Sequence, residues 1–429
     1  MARIVLPVMP FAGHVTPMLA VAAELVRRGH EAVAYTGAKY APRFTAVGTG
    51  WEPWRQAPDF DDADLAATFP QVGTGTGMRA GQANGEHVIL RTGVGQTRDL
   101  LALAERDRVD AIVTDQMSVG GALAAEKLAV PLATVAVIPL VLTSRHLPPQ
   151  GMRLRPARTG AGRARNAALR VVATVGTRRL LDPIITDVRA QVGLRPAPVS
   201  GFDGFFSTRL VLAQGIPGLD YPRPDLPAAV HYVGRLAAPQ PDAHLDLPRW
   251  WPELLQARDR GRPVVHVSQG TLHVDPDQLI RPTIEALSGR DVLVVVSTGR
   301  EAPSALGSLP ANVRVAPFLP YDRLLPLVDV MISNGGWSSV LAAVAAGVPL
   351  VVAGADLDKP EVARRVGWSG VGVDLRTGRP RAARVRAAVN RVLVDPAFRQ
   401  TAQRLSKELD AAGGVRAAGD LIDGLLAGR

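Results

Sequence analysis

The stretch Ser333-Asn334-Gly335-Gly336-Trp337-Ser338-Ser339 decides the reading of this chain. The apolar run Val328 to Ile332 enters it and reads as a buried parallel strand. A helical run, Ser338 to Ala346, leaves it, stops at Gly347, and gives way to a second apolar run, Val348 to Ala353. This is strand, glycine turn, helix, strand. Glycines let backbone approach a ligand closely, and a helix start presents free N–H groups and a positive dipole end. Such a turn suits a phosphate. Asp356, Asp358 and Lys359 follow the second strand, where they can grip a polar ligand beyond the phosphates.

At 429 residues the chain has room for two domains of ordinary size, and 47% hydrophobic with 21% charged residues describes a globular protein. No cysteine is present, which excludes disulfides, thiol nucleophiles and Cys-ligated zinc and fits a reducing compartment. The first apolar run is interrupted by Gly13, His14 and Pro17, too early for a signal peptide or a membrane span. A soluble, cytoplasmic protein is expected.

The net charge of +10 is unevenly spread. Residues 151–180 hold eight arginines and no acid, which leaves only +2 for the rest of the chain. Leu169, Val172, Leu180, Ile184 and Val188 lie among or just after them at roughly helical spacing. The plain reading is a solvated basic helix. Contact with an acidic lipid surface or an acidic acceptor is the sharper one. Nucleic acid is not expected, because no aromatics interleave the arginines and no recognition motif is present.

The first half opens with a strand, Arg3–Val8, a loop, and a helix from about Pro17 to Arg28 with Thr16 as its cap. Strands follow at Glu31–Tyr35, Ala111–Thr114, Leu132–Val137 and Leu210–Ala213. Residues 214–262 are proline-rich and read as a linker and the approach to a second domain. Strands then recur at Val264–Ser268, Val292–Ser297, Val313–Ala316, Val328–Ile332 and Val348–Ala353. The expected class is α/β, with two doubly wound domains facing across a cleft and ligands beyond the C-terminal strand ends.

His14 lies in Phe11-Ala12-Gly13-His14-Val15-Thr16, between the first strand and the first helix, where a histidine can act as a general base. Asp115 ends the strand from Ala111 and can orient that imidazole, as an acid does in a triad; its plainer role is a helix cap. Ser268, Gly270 and Thr271 close the strand Val264–Ser268 and can contact phosphate. Phe318 and Leu319 follow another strand end; the aromatic can stack on a nucleobase, or it can belong to the core. The run Asp59-Phe60-Asp61-Asp62-Ala63-Asp64 reads as a solvated acidic loop and not as a metal site. His30 reads as structural.

These pieces, in this order, resemble the nucleotide-sugar-dependent glycosyltransferases of the GT-B fold. The likeness is to the family of macrolide and other natural-product glycosyltransferases and plant flavonoid glucosyltransferases. It rests on Gly13-His14-Val15-Thr16-Pro17, Ser268-Gln269-Gly270-Thr271, Phe318-Leu319-Pro320, Gly335-Gly336-Trp337-Ser338-Ser339, Gly347-Val348-Pro349 and Asp358-Lys359. The resemblance implies that His14 deprotonates an acceptor hydroxyl with Asp115 as partner and that Phe318 stacks on the donor base. It implies that Gly336, Trp337, Ser338 and Ser339 receive the diphosphate, and that Asp358 and Lys359 hold sugar hydroxyls. It needs no metal and no cofactor beyond the sugar nucleotide. Residues 413–429 are expected to form a helix packing back on the first domain.

Three positions depart from the family pattern. Asn334 stands where a histidine is usual, Ala342 where many members bind ribose through a glutamate, and Lys359 where glutamine is usual. The expected activity is inverting transfer of a dTDP- or UDP-linked sugar to a small apolar natural product. A lipid acceptor at a membrane surface, a sugar-nucleotide 2-epimerase and a non-catalytic nucleotide-sugar binder are the alternatives.

Overall fold

The computed structural model describes residues 1–72, 78–152, 154–237, 247–270, 275–299 and 302–428. Thirteen strands form two parallel sheets. The first sheet holds β1 (Arg3–Pro7), β2 (Glu31–Thr36), β3 (Gly50–Pro53), β4 (Ala111–Asp115), β5 (Leu132–Ala136), β6 (Val211–Gln214) and β7 (Val230–Gly234), in the order β3-β2-β1-β4-β5-β6-β7. The second holds β8 (Val264–Ser268), β9 (Leu293–Ser297), β10 (Val313–Ala316), β11 (Val330–Ser333), β12 (Leu350–Val352) and β13 (Gly372–Asp374), ordered β10-β9-β8-β11-β12-β13. Both orders reverse once, between β1 and β4 and between β8 and β11. At such a reversal the flanking connections leave on opposite faces and open a crevice at the C-terminal strand ends.

The sequence period explains both sheets. Ile4 and Leu6 of β1 pack with Val113 and Val135 on one face, whereas Val5 packs with Ile112 and Tyr35 on the other. In the second sheet Val264, Val295 and Met331 face one cluster, and Val265, Val294 and Ile332 face its opposite. Strands buried on both faces read as unbroken apolar runs, which is why these were legible. The strands β3, β7 and β13 were not read as strands. They are short edges, and only part of each is apolar.

Two expectations are corrected. The stretch 214–262, read as a linker, contains β7, which pairs with β6 and completes the first sheet. The prolines that suggested a linker sit in the turn between these strands. The first helix spans Ala12–Arg27, so Pro17 lies inside it and Thr16 is not its cap. The Asp62 carboxylate accepts the Ala12 N–H at 3.0 Å and lets the helix begin earlier. The proline removes a single bond from the second turn. Asp62 is therefore no solvated loop acid. It is buried, and it also accepts from Tyr40 Oη at 2.7 Å and pairs with Lys39.

Contacts of three main kinds tie the two halves together. The helix Gly414–Leu426 returns to the first domain, where Ala418, Ile422 and Leu425 join the cluster of Ile4 and Leu6. Its Asp423 meets His30 Nε2 at 2.8 Å and Arg28 Nη1 at 2.7 Å. The indole of Trp337, at the start of helix Trp337–Ala345, donates to the Gln214 carbonyl at 2.9 Å. Trp337 also packs on Gly215, whose φ is +123° and where a Cβ would lie 2.7 Å from the ring.

The third contact is a buried ionic hub. Asp220 accepts from Arg365 Nε at 2.8 Å, Arg223 Nε at 3.1 Å, Tyr232 Oη at 2.6 Å and its neighbour's N–H at 2.7 Å. Burial raises this carboxyl's pKa, but the two guanidinium charges and the hydrogen bonds outweigh it and hold the group below the usual range. Arg365 lies on helix Lys359–Ser369, so the hub joins the helix after Asp358 to the connection between β6 and β7 of the first sheet. Asp220→Asn should cost about 3–5 kcal/mol, because it leaves two buried guanidiniums short of charge. Urea unfolding at neutral pH measures this. The folded pKa is depressed, so the contribution is present above the unfolded carboxylate pKa and is lost as pH falls through the folded one. The gap between wild type and variant should therefore shrink in acid.

Candidate active site

The end of β1 turns directly into the helix Ala12–Arg27, which puts His14 in its first turn at the strand-order reversal. β4 lies beside β1, and its last residue, Asp115, faces that turn. His14 Nδ1 and Asp115 Oδ2 are 2.7 Å apart. Asp115 is fully buried and also accepts the Met9 N–H at 3.2 Å and the Met117 N–H at 3.0 Å. It thus serves the local turn as well as the histidine. A fixed oxygen acceptor on Nδ1 places the proton there and leaves Nε2 with its lone pair. His14 keeps 14% side-chain exposure, enough to meet a ligand from the cleft.

Burial lowers the His14 pKa, yet the charge and hydrogen bond of Asp115 overcome it and set the ring above its ordinary value. A smaller push in the same direction comes from Asp358 of the second domain. The converse holds: burial lifts the Asp358 carboxyl above its ordinary range, opposed by Lys359 and by His14. The two crevices therefore face each other closely enough for charge on one to act on the other.

In the second sheet Ser333 pairs with Ser268, so the loops after β8 and β11 leave side by side. Gly335 has φ +92°, and a Cβ there would lie 3.0 Å from Val352 and 3.1 Å from the Lys359 carbonyl. Only glycine fits that conformation and that approach. Gly336 caps the helix with ordinary φ and has space around its Cα. The helix then presents the N–H groups of Trp337, Ser338 and Ser339 to the crevice, with both serines partly exposed. Ser268 is buried, and its Oγ lies 3.5 Å from the Gly270 nitrogen. Gly13 is exposed in the facing helix turn.

Several side chains named from the sequence are engaged elsewhere. Trp337 points into the interdomain contact, so it offers the crevice its backbone alone. The Asn334 amide donates to the Gln269 carbonyl and clasps the two loops together, which commits one of its N–H groups to the fold. Lys359 is buried, and its ammonium lies 3.0 Å from Asp356. Phe318 is 57% exposed and does not belong to the core, while Leu319 is buried behind it. Thr271 lies outside the described residues. No group of three or more metal-ligating side chains occurs among the described residues.

The sequence reading missed the polar column under the serine turn. His266, in the middle of β8, approaches the Val295 carbonyl through Nδ1 at 3.0 Å and Tyr321 Oη through Nε2 at 3.2 Å. Burial pushes this histidine down to about 4, so it is neutral. Its Nδ1–H donates to the carbonyl and Nε2 accepts the tyrosine O–H. Ser268, Ser297 and Ser339 lie close around the Tyr321 hydroxyl, beneath the helix start. A histidine inside an apolar strand was the available signal.

Comparison with known proteins now defines the class. A glycosyltransferase of kitacinnamycin has the same fold, with a TM-score of 0.74 at 23% identity over 99% of both chains. Residues 281–414 match the family described as Erythromycin biosynthesis protein CIII-like, C-terminal domain. The chain is 41% identical to 4'-demethylrebeccamycin synthase of Lentzea aerocolonigenes, over 99% of this chain and 100% of that protein. It is 31% identical to UDP-glycosyltransferase 2 of Phaeomoniella chlamydospora, over 99% and 96% of the two chains. The protein belongs to the GT-B nucleotide-sugar glycosyltransferases of the natural-product type. The epimerase and the non-catalytic binder are not favoured by these relatives.

The Asp115 charge is what raises His14, so the pH–rate profile carries its mark. A general base works deprotonated, so kcat/KM should rise with pH through an inflection above 6.5. In Asp115→Asn burial acts unopposed by that charge, so the inflection should move to lower pH while the plateau rate falls.

Proposed function

We propose that this glycosyltransferase moves a sugar from a dTDP- or UDP-linked donor to a hydroxyl of a small, mostly apolar natural product, with inversion. The observation that carries the reading is the His14–Asp115 pair, 2.7 Å apart at the strand-order reversal of the first sheet. The acceptor oxygen attacks the anomeric carbon and forms the new C–O bond. Its proton passes to His14 Nε2, and Asp115 stabilises the resulting imidazolium. The anomeric carbon–phosphate oxygen bond breaks, and its electron pair leaves with the diphosphate. That developing charge meets the helix start at Trp337, Ser338 and Ser339, where Gly335 and Gly336 let it approach. Asp358 accepts hydrogen bonds from the sugar hydroxyls, and Lys359 neutralises its surroundings. Phe318 stacks on the base, with Ser268 and Gly270 alongside the nucleotide.

Ala342 is buried and brings no acceptor for a ribose hydroxyl, which favours a deoxyribose carrier. The relative named a UDP-glycosyltransferase keeps UDP open. No helix among the described residues is long and apolar enough to cross a membrane. We place the reaction in the cytoplasm, in keeping with a cysteine-free chain.

General-base catalysis contributes about 10²–10⁴-fold, so His14→Ala should lose that much in kcat while the affinity for the nucleotide, measured calorimetrically, stays unchanged. Full turnover in the variant would exclude His14 as the base.

A further inference from the structure

The helix Gly160–Leu180 belongs to the arginine-rich stretch, and Asn166 is its single buried residue among 21. Its 3.6-residue repeat places Ala168, Val171 and Val175 along the outward face, with Val172 beside them. Val171 and Val172 are each 65% exposed, and Leu180 at the end is 56% exposed. Arginines border this stripe. Arg178 lies on one side and Arg165 on the other, its guanidinium also donating to Asn166 Oδ1 at 2.9 Å, with Arg179 at the C-terminal end and Arg163 towards the inner flank, all exposed. Among the described residues no carboxylate pairs with any of the four.

The inner flank of the same helix closes a cavity of about 590 Å³. Its charged lining is cationic: Arg145, Arg163 and Arg170, with His146 beside them and Trp368 as the aromatic wall. No acid lines it. An exposed aliphatic stripe, unneutralised guanidiniums on both borders and a cation-lined cavity next to it define the partner by complementarity. A second copy of this chain would bring arginine against arginine. Nucleic acid would satisfy the arginines and leave the valines in water. An anionic bilayer satisfies both, because arginine stems lie along apolar surface while their heads reach the phosphates.

We propose that the outward face of helix Gly160–Leu180 docks on an anionic lipid surface. The valines enter the headgroup–acyl boundary, the arginines lie at phosphate level, and the cavity takes a lipid headgroup. This interaction is separate from the transfer chemistry and does not depend on which acceptor is used.

The test is co-sedimentation of the full chain with phosphatidylcholine vesicles, with and without about one-third phosphatidylglycerol. Binding is expected to the anionic vesicles alone, falling at least about tenfold between about 0.05 and about 0.5 M salt. Two variants separate the contributions: Val171→Asp with Val175→Asp, and Arg165→Glu with Arg178→Glu and Arg179→Glu. Each should weaken binding by about tenfold or more, with thermal stability and transfer to a water-soluble acceptor unchanged. Absence of vesicle binding at low salt would overturn the proposal, as would equal binding to neutral vesicles or indifference to both variants. A concentration-dependent dimer abolished by the valine variant would assign the face to a second copy instead. Binding of free glycerol phosphate in the cavity without vesicle binding would reduce it to a soluble anion site.

Discussion

Everything in this protein hangs on a constraint of parallel sheets. Strands that all run one way put every C-terminal end on one edge, and a crevice forms where the order of connection reverses. Each sheet reverses once, and each reversal is where the chemistry-bearing residues lie. His14 and Asp115 sit at the β1–β4 reversal, and Ser268, Gly270 and the turn from Asn334 sit at the β8–β11 reversal. Their meeting is a consequence of topology. Residues 101 positions apart share a 2.7 Å hydrogen bond because their strands are neighbours.

Topology alone would leave the two crevices independent. The chain fixes their relation with contacts of three kinds. Apolar packing returns the helix Gly414–Leu426 to the first domain, the Trp337 indole clasps the Gln214 carbonyl, and Asp220 gathers two guanidiniums in the interior. The last two begin on the second domain, at the helix start and on the helix that follows Asp358. The segments that build the second crevice therefore also hold it against the first domain. A substitution at Trp337 or Arg365 is expected to disturb catalysis without touching a ligand through its side chain.

How much of this was legible follows from the physics of each feature. Doubly buried strands such as Val264–Ser268 announce themselves as apolar runs, and the Gly335-Gly336 turn announces itself through backbone freedom. The fold and the glycine turn were therefore readable. Short edge strands have no such signature, so β7 was lost in a proline-rich stretch. Side-chain direction was not readable either. Trp337 adjoins the turn in sequence, yet its ring faces the other domain. Asp62 looked like one solvated acid among four, and only the tertiary structure shows it capping the helix that carries His14. His266 stands out as a histidine inside an apolar strand, but its partner Tyr321 is 55 positions away and nothing in the sequence links the two.

The proposed transfer puts the base, His14, on one domain and the seat of the leaving group, at the Trp337 helix start, on the other, with the anomeric carbon between them. Attack and departure from opposite sides invert that carbon. The anomeric proton coupling in the NMR spectrum of the purified product measures this. An α-linked sugar nucleotide should give a β-linked product, and retention of the donor's configuration would contradict the account.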